Sequence, residues 1–349
     1  MYFSFVKITN QISPQLSKQN ILKRTLTIKF FLIFISCFTC FICNSQDIED
    51  IDSLLIDRDI ENYSIRIFSN YKVNKFSVLN DNSKVKFVPN NRYGLGLGFA
   101  NKKVIVDVAF NIKNKNKEET RRFDAQGTTI VKKQHYVNLF VQTYKGFKAK
   151  HDFDEPTIFR SDVRSVSFGV NYLYILDEVE FSYSLIKAGL DEKDDQDIFI
   201  TGGIGLFGVY DYFSAKPSIL SETASTSFNE QGNIKRYNGA AIGVLAGFIS
   251  YFKLPENITA TLNVMPGLAL MNKSVTLQDG TYRPSNPMLY KLDFSVGIGY
   301  NMKQYYAVLT YSNGLYSTDF DNDNKYRLNL TNAKLAIGYR FKMKKKQTN

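Results

Sequence analysis

The sequence offers two histidines for acid–base or metal chemistry, His135 and His151. A barrel phospholipase would need a Ser/His/Asn constellation at its rim. His135 lies in Gln134-His135-Tyr136, at a loop–strand boundary with no serine nearby in sequence. His151 opens the charged stretch His151-Asp152-Phe153-Asp154-Glu155. The run Asp319-Phe320-Asp321-Asn322-Asp323-Asn324 sets oxygen ligands at alternate positions, as calcium sites do. It lacks the glycine and the distal bidentate glutamate of an EF-hand, and it reads as a hydrated surface loop. Asp191-Glu192-Lys193-Asp194-Asp195 reads the same way. Gly94-Leu95-Gly96-Leu97-Gly98 precedes no helix, so a dinucleotide reading fails on context. No zinc spacing or nucleophile elbow is present. No catalytic residue, metal or cofactor is expected.

The remaining chemistry is charge set among apolar residues. Asp107, Lys291, Asp293, Lys334 and Arg340, with Asn171 beside them, each share a strand face with small or polar residues. That face is read as a barrel's inner wall. Both signs occur, so the charges can pair across the lumen and close it. A polar pore lining is the other reading. A lumen of this size fills with side chains, which favours closure.

The elements that carry these residues follow from alternation. In Leu292, Phe294, Val296, Ile298 and Tyr300 one face is bulky, while Lys291, Asp293, Ser295, Gly297 and Gly299 form the other. Such period-two patterning marks a strand with one apolar and one polar face. Tyr93, Leu95, Leu97 and Phe99 oppose an all-glycine face. Val166, Phe168, Val170, Tyr172 and Tyr174 repeat the pattern, as do Leu335, Ile337, Tyr339 and Phe341. Bulky residues turned to lipid and small polar ones to a lumen describe a transmembrane antiparallel β-barrel. The runs predict about 12 strands (range 10–14), with 113–133, 148–162, 191–197, 214–235, 278–288 and 318–325 as loops. Phe181 to Leu190 is expected to be a strand. Glycine on an inner face makes room for lumen side chains or lets the wall curve.

The ends read differently. Lys23, Arg24 and Lys29 precede the uncharged run Phe30–Cys43, too short to span a bilayer and suited to a signal peptide. Small Cys43 and Ser45 place cleavage before Gln46. The organisation expected is 1–45 as extension and signal peptide, 46–62 as an acidic periplasmic lead-in, 63–341 as barrel and 342–349 as a basic tail. Cys37, Cys40 and Cys43 all fall in the first segment, which leaves the mature chain without disulfides or thiolate sites. The net charge of +11 sits mostly at the ends: residues 1–45 and 340–349 each hold five cations and no acid. A body this close to neutral excludes a nucleic-acid binder.

Three stretches resemble the DUF4421 family of Bacteroidetes proteins. They are Val88-Pro89-Asn90 followed by Gly94–Phe99, then Gln142-Thr143-Tyr144-Lys145-Gly146-Phe147, and Glu180-Phe181-Ser182-Tyr183 leading through Asp191, Glu192 and Gln196 to Thr201-Gly202-Gly203. The resemblance implies an outer-membrane β-barrel without assigned activity. The expected role is non-enzymatic: structural, adhesive or passive transport of small solutes in the cell outer membrane. The expected partners are outer-membrane lipid and the barrel-assembly machinery, with no nucleic acid. The alternatives are an accessory barrel of a secretion or gliding machine and, further off, a barrel phospholipase.

Overall fold

The computed structural model describes residues 50–56, 62–100, 104–112, 118–132, 134–151, 156–176, 198–302 and 304–342. The strands are β1 (Asp50–Ile56), β2 (Asn62–Leu79), β3 (Lys84–Val88), β4 (Tyr93–Ala100), β5 (Val104–Asn111), β6 (Arg121–Val131), β7 (His135–His151) and β8 (Ile158–Ile175). They continue with β9 (Ile198–Ser214), β10 (Arg236–Leu254), β11 (Ile258–Thr276), β12 (Thr281–Tyr282), β13 (Met288–Met302), β14 (Tyr305–Asp319) and β15 (Lys325–Lys342). The helical content is one turn, α1 (Glu222–Ser225), and a 3-10 turn at Glu230–Gly232. Among the described residues no helix is long and apolar enough to cross a membrane.

Ten strands close a ring in the order β2-β3-β7-β8-β9-β10-β11-β13-β14-β15 and back to β2. Four more, β4, β5, β1 and β6, form an insert between the halves of β2 and β7 that β3 leaves unpaired. The pairing is antiparallel throughout except β1 with β6. About twelve strands were expected, and the observed ring of ten with an insert of four differs for local reasons. Asp50–Ile56, read as lead-in, is β1, wedged between β5 and β6. Arg121–Val131, read as loop, is β6; its polar residues occupy both faces and hide the alternation. The supposed linker 148–162 holds the end of β7 and the start of β8. There Gly146, at φ +88°, makes a bulge that shifts the register after Lys145. The segments 1–45 and 343–349 and the expected strand at Phe181–Leu190 lie outside the described residues.

The strand ends joined by 132–134, 255–257 and 303–304 lie at one end of the ring, with those joined by 101–103 of the insert beside them. Glu256 and Asn257 both adopt φ of +60°, which lets two residues reverse the chain. The strand ends joined by 152–157, 215–235, 277–287 and 320–324, and by the short turn 80–83, lie at the other end. The segment 176–197 breaks this division, since it is long and joins β8 to β9 at the short-turn end.

The wall is sided as alternation requires. Ile67, Ile204, Ile242, Leu270 and Ile337 are each more than 60% exposed, while their strand neighbours Arg66, Gly203, Ala241, Met271 and Ala336 are buried. Aromatic rings border this apolar surface. At the short-turn end Tyr305, Tyr339, Phe341, Tyr63 and Phe99 form a ladder over four adjacent strands, with ring centroids 5.2–6.5 Å apart. Tyr210 and Tyr290 border the other edge, and both are exposed. Tyr290 and Tyr300 lie on one strand ten residues apart. At about 3.4 Å per residue and a tilt of about 40°, they bracket about 26 Å of height, against about 25 Å for the apolar band of a membrane barrel.

Candidate functional site

Five of the six inward candidates are buried, the Asp293 side chain is 27% exposed, and the six fall into separate groups. Asp107 on β5 accepts from Arg66 Nε at 2.8 Å and Arg66 Nη2 at 2.6 Å on one oxygen. Lys334 Nζ reaches its other oxygen at 2.7 Å. The three side chains are 6%, 1% and 8% exposed in the order Asp107, Arg66, Lys334. Lys334 also sits 4.6 Å over the Phe68 ring. This packing explains the glycine face of β4. A Cβ at Gly98 would land on Asp107 and Arg66, and one at Gly96 on the Phe68 ring. The glycines make room for side chains of the adjacent strands β2 and β5 rather than for groups from across the lumen.

The second group spans the ring. Lys291 on β13 donates to Asn171 Oδ1 on β8 at 2.5 Å and pairs with Asp293 at 2.8 Å. Its ammonium lies 4.7 Å over Phe207 and 5.8 Å over Tyr316. Gly314 on the next strand leaves the space that Asp293 occupies. Arg340 stands apart, near the short-turn end. It bonds Asn301 and covers Tyr306, whose hydroxyl meets Ser64 at 2.6 Å.

Sequence reasoning missed the partners. Arg66 sits in Ile65-Arg66-Ile67, where a charge between two outward isoleucines is itself an inward signal. Lys72 and Asp124 pair at 3.5 Å, Tyr144 donates to Asp124, and Arg122 reaches the Lys72 carbonyl at 3.0 Å and Asn111. Arg122 and Asp124 escaped notice because 113–133 was read as loop. Asp211 was also missed; it accepts from Ser167 at 2.7 Å and from Tyr326.

Above these charges the long-loop end is filled. Phe76 stacks on Phe87 and Phe213 at 4.9 and 5.0 Å, and Tyr326 stacks on Phe213 and Phe320 at 5.5 and 5.4 Å. Tyr237 joins Phe320 at 4.8 Å. The loop 215–235 sinks Ile219, Leu220, Ala224, Phe228 and Ile234 onto this stack. Arg160 and Asp162 tie that loop to β8: they pair at 2.8 Å, and they bind the Ser218 carbonyl and the Lys216 amide at 2.7 Å each. The stretch 319–324, expected as a hydrated surface loop, exposes Asn322 and Asp323 but is anchored inward by its other residues. Phe320 and Asn324 are fully buried. Asp321 takes the Ser285 amide and hydroxyl at 2.6 and 2.9 Å, and Asn324 bonds Asn229 at 2.6 Å. Tyr282 donates to the Phe320 carbonyl at 2.9 Å. Burial, and then the carboxylates of Asp321 and Asp319, push its phenol up to about 12. The second acidic loop, 191–197, lies outside the described residues.

His135 Nδ1 lies 2.9 Å from the Tyr172 hydroxyl and its ring packs on Tyr172 and Tyr174, on the outer wall. His151 ends β7 and pairs with Val85 of β3.

The model for "Domain of unknown function (DUF4421)" matches residues 50–341. The chain belongs to the DUF4421 family. No curated protein matches it. Among solved structures it is similar to the outer membrane protease OmpT from Escherichia coli, at 11% identity and TM-score 0.39 over 80% of this chain and 97% of that one. It is similar to the beta domain of the Bordetella autotransporter BrkA, at 9% identity and TM-score 0.34 over 81% and 100%. It is also similar to the P. putida toluene transporter TodX, at 10% identity and TM-score 0.26 over 82% and 92%.

Proposed function

We propose that this chain is an outer-membrane β-barrel of non-enzymatic role, a structural or adhesive wall element whose lumen is closed to solutes. The observation that carries the reading is the contrast between its two faces. Outward, exposed apolar residues lie between aromatic borders, as a lipid-facing wall requires. Inward, Asp107 pairs with Lys334 and Arg66, Lys291 pairs with Asp293, and a stack of aromatic rings fills the long-loop end. A conducting pore needs the opposite, a hydrated lining with groups left for the solute. The short turns then face the periplasm and the long loops the exterior.

The test is reconstitution of the full chain in planar bilayers and in phosphatidylcholine vesicles. The expected results are a heat-modifiable band on electrophoresis, protection of the strands from protease, and no steady conductance. A large, stable, voltage-independent conductance would replace the closed reading with a porin.

A further inference from the structure

On the outer wall, one register line crosses five adjacent strands. It runs Arg121 on β6, Lys145 on β7, Arg164 on β8, Ser214 on β9 and Arg236 on β10, each paired directly with the next. All four cations are exposed, and their inward neighbours Arg122, Tyr144, Ser165 and Tyr237 are buried. Among the described residues none of the four meets a carboxylate. The acids nearest in sequence are engaged elsewhere, Glu119 at Asn91 and Asp162 at Arg160 and Lys216. Cations directly opposite one another on a sheet repel and destabilise it, and here three occupy consecutive strands. The row lies on the long-loop side of the apolar band: Phe123, Phe168, Tyr210 and Ile242, all exposed, follow on the same faces towards the short turns.

We propose that this row is a binding site for the phosphate groups of an outer-leaflet glycolipid of the lipid A type. Headgroup phosphates would lie along Arg121, Lys145, Arg164 and Arg236, with acyl chains on the apolar residues beneath. Arginine and lysine spaced by single strands match an amphiphile that carries more than one anionic group beside its apolar part. A free phosphate has no use for the apolar half of the surface, so the lipid is the occupant assigned. The inference rests on the membrane orientation proposed above.

The experiment captures the tagged full-length barrel from mixed micelles containing bisphosphorylated lipid A and measures retained lipid by mass spectrometry. Wild type is expected to retain it, and to retain little dephosphorylated lipid A. The double variant K145Q/R164Q should retain it roughly thirty-fold more weakly, from the contribution each surface cation makes at an anionic headgroup. R283Q, which removes an exposed cation from the loop 277–287, should bind as wild type does. Heat-modifiable mobility in phosphatidylcholine alone confirms that each variant is folded; its loss in wild type would overturn the barrel reading itself. Equal retention of dephosphorylated lipid A, an unchanged K145Q/R164Q, equal loss in R283Q, or full displacement by inorganic phosphate would each overturn the site.

Discussion

Asp107→Ala tests whether the interior is dry. Asp107 accepts three bonds, two from Arg66 and one from Lys334, and none of the three side chains is more than 8% exposed. Removing it strips Arg66 of its carboxylate and leaves two buried cations without the anion between them. Breaking a buried pair by deleting one partner costs about 3–5 kcal/mol, and with two cations affected the upper figure applies. The magnitude reports the medium. Unit charges about 4 Å apart are worth about 1 kcal/mol in water and about 4 kcal/mol at a partly buried site. Urea titration in phosphatidylcholine vesicles, followed by the heat-modifiable band, gives the number. Lys334→Met in the same background supplies a control, because it removes one of the two cations. The double variant should cost less than the sum by about 1–3 kcal/mol. A cost for Asp107→Ala below about 1 kcal/mol, with additivity in the double variant, would mean that water screens these charges and that the closed lumen is wrong.

Four further outcomes follow from the same wall. Val296→Arg, placed midway between Tyr290 and Tyr300, should cost about 2–4 kcal/mol in the same titration; Ser295→Arg on the inner face should cost less. Gly338→Ala drives a methyl onto the Tyr306 ring, so it should cost about 1–3 kcal/mol, and Tyr306→Leu in the same chain should remove most of that penalty. Phe320→Ala should cost about 3–5 kcal/mol and raise bilayer conductance, because Tyr326 and Tyr237 both pack on its ring. The Tyr282 phenol ionises near 10 when unfolded and about 12 in the native loop. Its contribution is present below pH 10 and declines as pH rises towards 12; a stability curve for Tyr282→Phe should lack that component.

What the sequence revealed of this molecule depends on whether a segment has one dry face and one crowded face. β13, β14 and β15 do, and the alternation of β13 and β15 assigned Lys291, Lys334 and Arg340 to the face that is buried. The glycines at 94, 96 and 98 were also legible as an inner face. Their reason was not, because the groups they admit belong to the neighbouring strands β2 and β5. β6 failed the test on both faces. Outward it starts with Arg121, inward it carries Arg122 and Asp124, and no apolar stripe survives to be counted. β7 failed at one residue. Before Gly146 the odd positions face outward, as Lys145 does; after it the even positions do, as Lys150 does. A period-two reading that spans such a bulge averages to nothing.

The missed segments matter because they complete the charges. Asp107 was read as an inward acid with cations somewhere across the lumen, and one of its two partners, Lys334, was among the candidates. The other, Arg66, lies on β2, and the Lys72–Asp124 pair joins β2 to β6. Thus the insert of four strands is fastened to the ring by buried ions as well as by its ladders. Its first pairing strand, β4, carries glycine at 94, 96 and 98 on its inner face, so β2 supplies Arg66, Phe68 and Asn70 to fill the space. Larger residues on β4 would displace those groups and separate Arg66 from Asp107. The alternate glycines and the charge network therefore specify one another: the wall can turn out of the ring at β2 because the glycine face lets an arginine lie flat against it, and the arginine can stay buried because β5 returns an aspartate to meet it.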